Sequence, residues 1–303
     1  MKNILVIGSI NADMVIYTDR MPQIGETISG RDFTVNQGGK GANQAVCAAR
    51  LGGNVKMMGC VGNDTNGEMI IGQLKGFGVG TDGIAKTDKP TGTAVITVCG
   101  GDNCIILDGG SNMLVTPEYI GKNTALLEWA DYVVFQFEIP IETVLYAAKK
   151  AKEMGKTVVV NPAPMKDFDK ELLSYTDIFT PNRIECETLL NRSLKTNEDL
   201  EKAIRDINAM GVKNVIITLG SDGCIYNDGN EIKKHGIIKC EVVDTTAAGD
   251  SFLGGVLVTL ARGESMENAV DFATYTSSIT VSREGAGKSV PTYDEVISRM
   301  KQC

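Results

Sequence analysis

Short, near-continuous apolar runs rich in β-branched residues punctuate the chain at 3–9 (NILVIGS), 55–62 (VKMMGCVG), 131–136 (DYVVFQ), 157–161 (TVVVN), 177–182 (DIFTPN) and 214–220 (NVIITLG). Between them lie segments such as 143–155 (TVLYAAKKAKEMG) and 200–211 (LEKAIRDINAMG), which carry the helical pattern. Runs without alternation suit strands buried on both faces, and the intervening segments suit helices that cover those faces. The expected fold class is α/β: a three-layer α/β/α core around a mostly parallel central sheet, joined by right-handed crossovers.

Two stretches break this rhythm. In 91–112 two strand-like runs meet at Gly100, Gly101, Asp102 and Asn103, which is a hairpin signal. In 12–37 β-forming residues are interrupted at Gly25 and Gly30. Together they predict a small sheet projecting from the main layer. Nothing resembling a repeat or a low-complexity linker divides the chain, so 1–303 reads as a single domain.

Ligands of open parallel sheets sit beyond the carboxyl ends of the strands. Asn11, Asp13, Glu138, Asn161, Asn182 and Glu185 stand just past predicted strands, as does the segment from Thr218 to Gly223. Each alone is an ordinary polar loop residue; their shared position is the informative feature.

The segment 244–252 (DTTAAGDSF) precedes an apolar, helix-length run ending near Gly263. Ala247, Ala248 and Gly249 have almost no side chain, so their amides can approach an anion where the helix dipole favours negative charge. Asp250 stands where a base would. The same residues also read as an ordinary helix start, with Asp244 or Thr246 as N-cap and Gly254 and Gly255 for close helix packing.

A second glycine-rich helix start, 38–45 (GGKGANQA), offers Lys40 and Asn43 as donors. It is not a phosphate-binding P-loop, because position 34 is Thr, and 285–289 (GAGKS) fails likewise because position 282 is Ser. No dinucleotide-binding glycine pattern follows the first strand, where 8–13 reads GSINAD. Asn182 and Glu185 share one helical face and could orient the waters of Mg²⁺, or could form a helix-capping box. The stretch 218–223 (TLGSDG) suits a nucleotide phosphate or ribose, or a tight hairpin turn.

Composition narrows the chemistry. With 43% apolar residues in 303 the chain can bury a large core, and a formal net charge of −8 argues against nucleic-acid partners. No apolar run approaches membrane-span length and the N-terminus lacks a signal pattern, so a cytoplasmic protein that engages neither membrane nor nucleic acid is expected. Eight cysteines without any Cys-x-x-Cys pair read as buried thiols. The sole histidine, His235, lies in a charged KKHG turn, leaving acid–base work to carboxylates or lysine.

Taken in order, GGKGANQA, PNRIECE, TLGSDG and DTTAAGDSF make the whole chain resemble the ribokinase-like carbohydrate kinases. The resemblance implies a β lid formed by about 12–39 and 92–109, often a dimer interface, and hence a homodimer. It implies Asp250 as catalytic base, with Ala247, Ala248 and Gly249 in the anion hole. Asn11, Asp13, Gly39, Lys40, Asn43, Glu138 and Asp250 match sugar contacts of the family. Asn182, Thr218, Gly220, Ser221, Gly223 and Gly249 match its ATP contacts. Thr274 falls where related chains often place an Asn beside adenine, which puts a direct adenine contact there in question. Glu185 would sit near Mg²⁺, and Asp244, Thr246, Thr280, Arg283, Gly285 and Ser289 would bind K⁺. The activity so implied is ATP-dependent phosphorylation of a furanose primary hydroxyl, foremost O5 of D-ribose. The alternatives are another sugar such as deoxyribose or fructose, a nucleoside, or a non-catalytic sugar-binding role.

Overall fold

The strand Asn3–Ile7 has a core on each side, because alternation along it sorts its side chains into two apolar clusters. Ile4 and Val6 join one cluster, and Leu5 and Ile7 join the other. Thr157–Val160 divides in the same way, with Val159 on one side and Val158 and Val160 on the opposite side. Both faces must therefore carry helices, which yields the three expected layers. One face is covered by Lys40–Arg50, Thr65–Gly76, Ala248–Ala261, Met266–Val281 and Tyr293–Met300. The other is covered chiefly by Ile141–Glu153, Arg183–Leu190 and Asn197–Ala209. The computed structural model describes residues 1–100, 102–229 and 231–302.

The central sheet has nine strands in the order Ile232–His235, Cys224–Asn227, Asn214–Thr218, Ile178–Phe179, Thr157–Val160, Tyr132–Phe135, Asn3–Ile7, Asn54–Gly62 and Gly80–Thr87. The first two strands in that order pair antiparallel and the remainder parallel. After Asn3–Ile7 the chain builds outward through Asn54–Gly62 on one side, then returns on the other at Tyr132–Phe135. That reversal opens a crevice beyond the carboxyl end of Asn3–Ile7, the position where open α/β sheets place ligands.

A separate four-stranded sheet has the order Arg31–Gly38, Asn11–Thr18, Gly92–Cys99, Asp102–Asp108. It coincides with the two irregular stretches of the sequence. Gly92–Cys99 pairs antiparallel with Asp102–Asp108 as the hairpin signal predicts, although Gly101 in its turn lies outside the described residues. No helix among the described residues is long and apolar enough to cross a membrane. The expectation of buried thiols holds at Cys47, Cys60, Cys186 and Cys224 and fails at Cys104, which lies on the exposed strand Asp102–Asp108; Cys99 and Cys240 are half-buried, and Cys303 lies outside the described residues.

Helix Ala248–Ala261 is wedged between two others through its paired glycines. A Cβ at Gly254 would lie 2.6 Å from Cys47 Cβ, and one at Gly255 would lie 2.7 Å from the Cα of Ala273. The helices therefore touch almost backbone to backbone. Gly254→Val must push Lys40–Arg50 away from Ala248–Ala261, and overpacking of this kind costs on the order of 2 kcal/mol. A lowered urea midpoint is the expected result; an unchanged midpoint would show that the contact is not tight.

Candidate active site

The polar residues of the crevice are fixed by one another before any ligand is considered. Ser9, just past the first strand, donates its hydroxyl to Glu138 Oε2 (2.6 Å) and accepts the Gly41 amide (3.2 Å). Glu138 Oε2 also accepts the Lys40 amide (3.1 Å). The N-terminus of Lys40–Arg50 is thus capped from neighbouring strand ends by a hydroxyl and a carboxylate, the charge its dipole favours. Gly39, at the N-cap position with φ 86°, permits the turn into this helix. Asn11 Oδ1 accepts from Asn112 Nδ2 (2.7 Å), whose own Oδ1 accepts the Ile10 amide (2.8 Å). Asp13 packs its carboxyl directly over Gly38, where any side chain would overlap it.

Asp250 is 6% exposed. Its Oδ1 accepts from Gln44 Nε2 at 2.9 Å, and its Oδ2 lies 3.4 Å from Asn43 Nδ2. Carboxylates and one amine therefore share the crevice. Burial, reinforced by the charges of Glu138 and Asp250, pushes the Asp13 carboxyl up to about 7. Asp250 chiefly, with Glu138 and Glu185, holds the Lys40 ammonium above its ordinary range against the opposing effect of burial.

The helix following Asp244–Thr246 does not begin as either capping expectation had it. Its N-cap position is Ala247, in the left-handed region at φ 58° and without a side-chain cap. Asp244 Oδ1 instead accepts the Thr246 amide (2.8 Å). The Ala248 amide donates to Thr245 O (3.2 Å), while among the described residues no chain acceptor meets the amides of Ala247, Gly249 and Asp250. Three backbone donors are thereby exposed at the positive end of a helix, beside a buried carboxylate.

Two cavities flank this helix start and share Val242 and Thr245 in their walls. One, of ≈ 1070 Å³, lies under the four-stranded sheet and is lined by Asp13, Asn36 and Gln37 on that side and by Asp244, Thr246 and Gly285 on the other. The second, of ≈ 590 Å³, is lined by Thr218, Gly220, Ser221, Gly223, Gly249 and Thr274, together with apolar Ile237, Val242 and Phe252. Six of the seven residues matched to ATP thus line one cleft. The seventh, Asn182, is bridged to Thr218 at its edge. Thr274 donates its hydroxyl to Val270 O (2.8 Å), and His235 Nδ1 stands 3.3 Å away with Nε2 3.1 Å from Asp271. The sequence placed His235 in a turn; strand pairing carries it beside this cleft.

The capping-box reading of Asn182 and Glu185 is realised: Asn182 Oδ1 accepts the Glu185 amide (2.8 Å) and Glu185 Oε2 accepts the Asn182 amide (2.8 Å). Burial raises the Glu185 carboxyl despite that bond and Lys40. The box leaves Oε1 available to a water ligand. Among the described residues no three carboxylate, histidine or cysteine groups converge as a metal cage.

The residues matched to K⁺ come together where 244–246 meets 280–289. Asp244 Oδ2 accepts the Gly285 amide (3.0 Å), and Ser289 Oγ donates to Ala286 O (2.7 Å). Burial of Asp244 acts to raise its carboxyl, but the Thr246 and Gly285 bonds outweigh it and hold it low. Arg283 turns its guanidinium to Glu295 (2.6 Å), and the Thr280 carbonyl accepts the Arg283 amide (3.1 Å).

Sequence reasoning missed Ser9, Gln136 and Asn112 as members of the site. Gln44 stood within the quoted GGKGANQA motif without a role, and the FQFE segment held Gln136. Their function depends on pairing across strands, which no local pattern records.

A model of the pfkB family carbohydrate kinases matches residues 1–293. The ribokinase of Lactococcus lactis is 38% identical over 100% of this chain and 98% of its own length. The ribokinase of Schizosaccharomyces pombe is 39% identical over 98% of this chain and 97% of its own. The structure of Arabidopsis thaliana ribokinase complexed with ribose and ATP superposes with a TM-score of 0.93 at 35% identity, covering 99% of each chain. The chain belongs to the pfkB family of carbohydrate kinases, among the ribokinases.

Proposed function

We propose that this protein transfers the γ-phosphate of ATP to O5 of D-ribose, giving D-ribose 5-phosphate and ADP. The observation that carries this reading is Asp250, a buried carboxylate at the start of a helix whose first amides have no chain partner and whose first residues, Ala248 and Gly249, line the cleft. Asp250 takes the proton as the sugar oxygen forms its bond to phosphorus, and the amides of Ala247, Gly249 and Asp250 receive the transferring oxygens. Ala248 joins them only by exchanging its bond to Thr245. Asn11, Asp13, Gly39, Lys40, Asn43 and Glu138 hold the sugar hydroxyls, with ATP in the cleft from Thr218 to Thr274. Bound Mg²⁺, near Glu185, would neutralise phosphate charge. A K⁺ held by Asp244, Thr246 and the carbonyls of 280–289 would fix the loop that precedes the helix. Exposed Phe33, Val95, Ile105, Ile106 and Leu107 on the four-stranded sheet support that sheet both as a lid over the sugar and as the contact of a homodimer. A cytoplasmic location, with its supply of ATP, suits the reaction.

The direct test is ADP formation across D-ribose, 2-deoxyribose, fructose and nucleosides, scored by kcat/KM. D-Ribose should lead; a different leader would reassign the substrate while keeping the kinase. Asp250→Asn should lower kcat by about 100- to 10,000-fold with ATP affinity retained, and near-normal turnover in that variant would remove Asp250 as base. Asp244→Ala should raise the K⁺ concentration for half-activation by about 10-fold or more; an unshifted K⁺ titration would disconnect this carboxylate from the cation.

Asp13 adds a pH dependence. Because its carboxyl rises from 3.8 to about 7, the folded protein keeps a proton that the unfolded chain releases earlier. Its contribution to stability is full below pH 3.8 and is lost as pH climbs to about 7. Asp13→Asn stays neutral throughout. Its Tm relative to wild type should therefore increase between pH about 4 and about 8, while its KM for ribose worsens by about 10-fold or more. A Tm difference independent of pH would contradict the burial of this charge.

A further inference from the structure

Asp250 is reached by two amides, and the carbonyl of each is occupied by a glutamine. Asn43 Oδ1 accepts from Gln37 Nε2 (2.8 Å), and Gln44 Oε1 accepts from Gln136 Nε2 (2.6 Å). Gln44 and Gln136 are both fully buried. The polarity of the second chain is dictated from its far end. An ionised carboxylate can only accept, so Gln44 must turn its NH₂ toward Asp250 Oδ1 (2.9 Å). The same NH₂ meets Asn161 Oδ1 (3.1 Å), which is fixed as an acceptor because Asn161 Nδ2 donates to Thr180 O (2.7 Å). Gln44 Oε1 must then face Gln136, which must present its NH₂ in turn. The end of the chain bears the consequence: Gln136 Oε1 is buried without a partner, against Gly8, where any Cβ would overlap it. An orphaned buried carbonyl is costly, and reversing the amides would relieve it only by turning carbonyls against a carboxylate.

We propose that Gln44, held in orientation by Gln136, is a positioning residue that locks Oδ1 of Asp250 as an acceptor and leaves Oδ2 to take the proton of the sugar hydroxyl. This inference rests on the reading of Asp250 as base. Oδ2 is the less committed oxygen, with only the long 3.4 Å approach of Asn43. A carboxylate tied at one oxygen cannot rotate about its Cβ–Cγ bond, so the basic lone pair points one way before the sugar arrives.

The test compares Gln44→Met, Gln136→Met and the double variant, each near in volume to the glutamine it replaces but without a strong donor. Gln44→Met should lower kcat by about 10- to 100-fold while the KM for ribose and the affinity for ADP stay within about threefold. Gln136→Met should lower kcat in the same direction by less. The double variant should be no slower than Gln44→Met alone, because both substitutions break one chain. Wild-type kcat in Gln44→Met, a double loss equal to the product of the single losses, or a parallel collapse of kcat, KM and ADP affinity would each overturn the proposal. Should Gln44→Met not fold, wild-type kcat in Gln136→Met overturns it and a reduced kcat with unchanged KM supports it. Asp250→Asn measured alongside keeps the two readings apart: turnover there removes the base itself, whereas an inert Asp250→Asn beside a fully active Gln44→Met removes only the positioning role.

Discussion

The near-contact of two helix backbones at Gly254 determines where the rest of the site can lie. Side chains tilt toward a helix's N-terminus, so residues about one turn before the crossing meet on its N-terminal side. Those residues are Asn43 and Gln44 on one helix and Asp250 on the other, joined at 3.4 and 2.9 Å. Gly255, on the adjacent flank, packs the same helix against Ala273. With the helix held at both contacts, Ala247 can be kept at φ 58°, a conformation costing on the order of 1 kcal/mol for a residue with a Cβ. That kink turns the first amides out of the helix's own hydrogen bonding.

Electrostatics then orient the substrates. Asp250, Glu138 and Glu185 act together on Lys40, and Asp13 feels the charges of Glu138 and Asp250. Gathering buried carboxylates is unfavourable unless donors and opposite charge offset them; here Ser9, the Lys40 amide, Asn43 and Gln44 donate, and the Lys40 ammonium supplies the opposite charge. A neutral polyol profits from such acceptors because each of its hydroxyls can donate. A phosphate gains nothing among carboxylates, whereas the helix start at Ala247–Asp250 offers it unpartnered amides at the positive end of a dipole. In the proposed reaction, charge alone would sort the sugar from the phosphate before any detailed fit.

The layers and the small-residue helix start are legible in the sequence because they follow local rules. An unbroken apolar run such as TVVV means burial on both faces, and a small-residue helix start such as AAGD means accessible amides. What could not be read depends on pairing across the sheet. Glu138 caps a helix nearly 100 residues away in sequence, |i−j| = 98. Ser9 and Gln136 gain their roles only when the strands ending at Ile7 and Phe135 lie side by side. The start of the helix at Ala247 eluded capping rules because its orphan amides have no side-chain cap at all. His235 reached the rim of the cleft through an antiparallel edge strand whose register the sequence leaves open.

The residues proposed to hold the sugar straddle the seam between the small sheet and the body. Asn11 and Asp13 belong to the small sheet, whereas Lys40, Asn43, Glu138 and Asp250 belong to the core. The root of the small sheet is tight, with Asn11, Ala12 and Gln37 buried, but its outer strand Asp102–Asp108 is exposed along its whole length. Such a gradient concentrates stability at the root and leaves the outer part with few contacts to lose. A ligand bound at the seam adds bonds to both sides at once, so it stabilises whichever arrangement of sheet and body satisfies them together. On the proposed assignment the residues that hold the hydroxyls are also those that join the small sheet to the core, so sugar binding would itself draw the sheet closed and exclude water from the phosphoryl group.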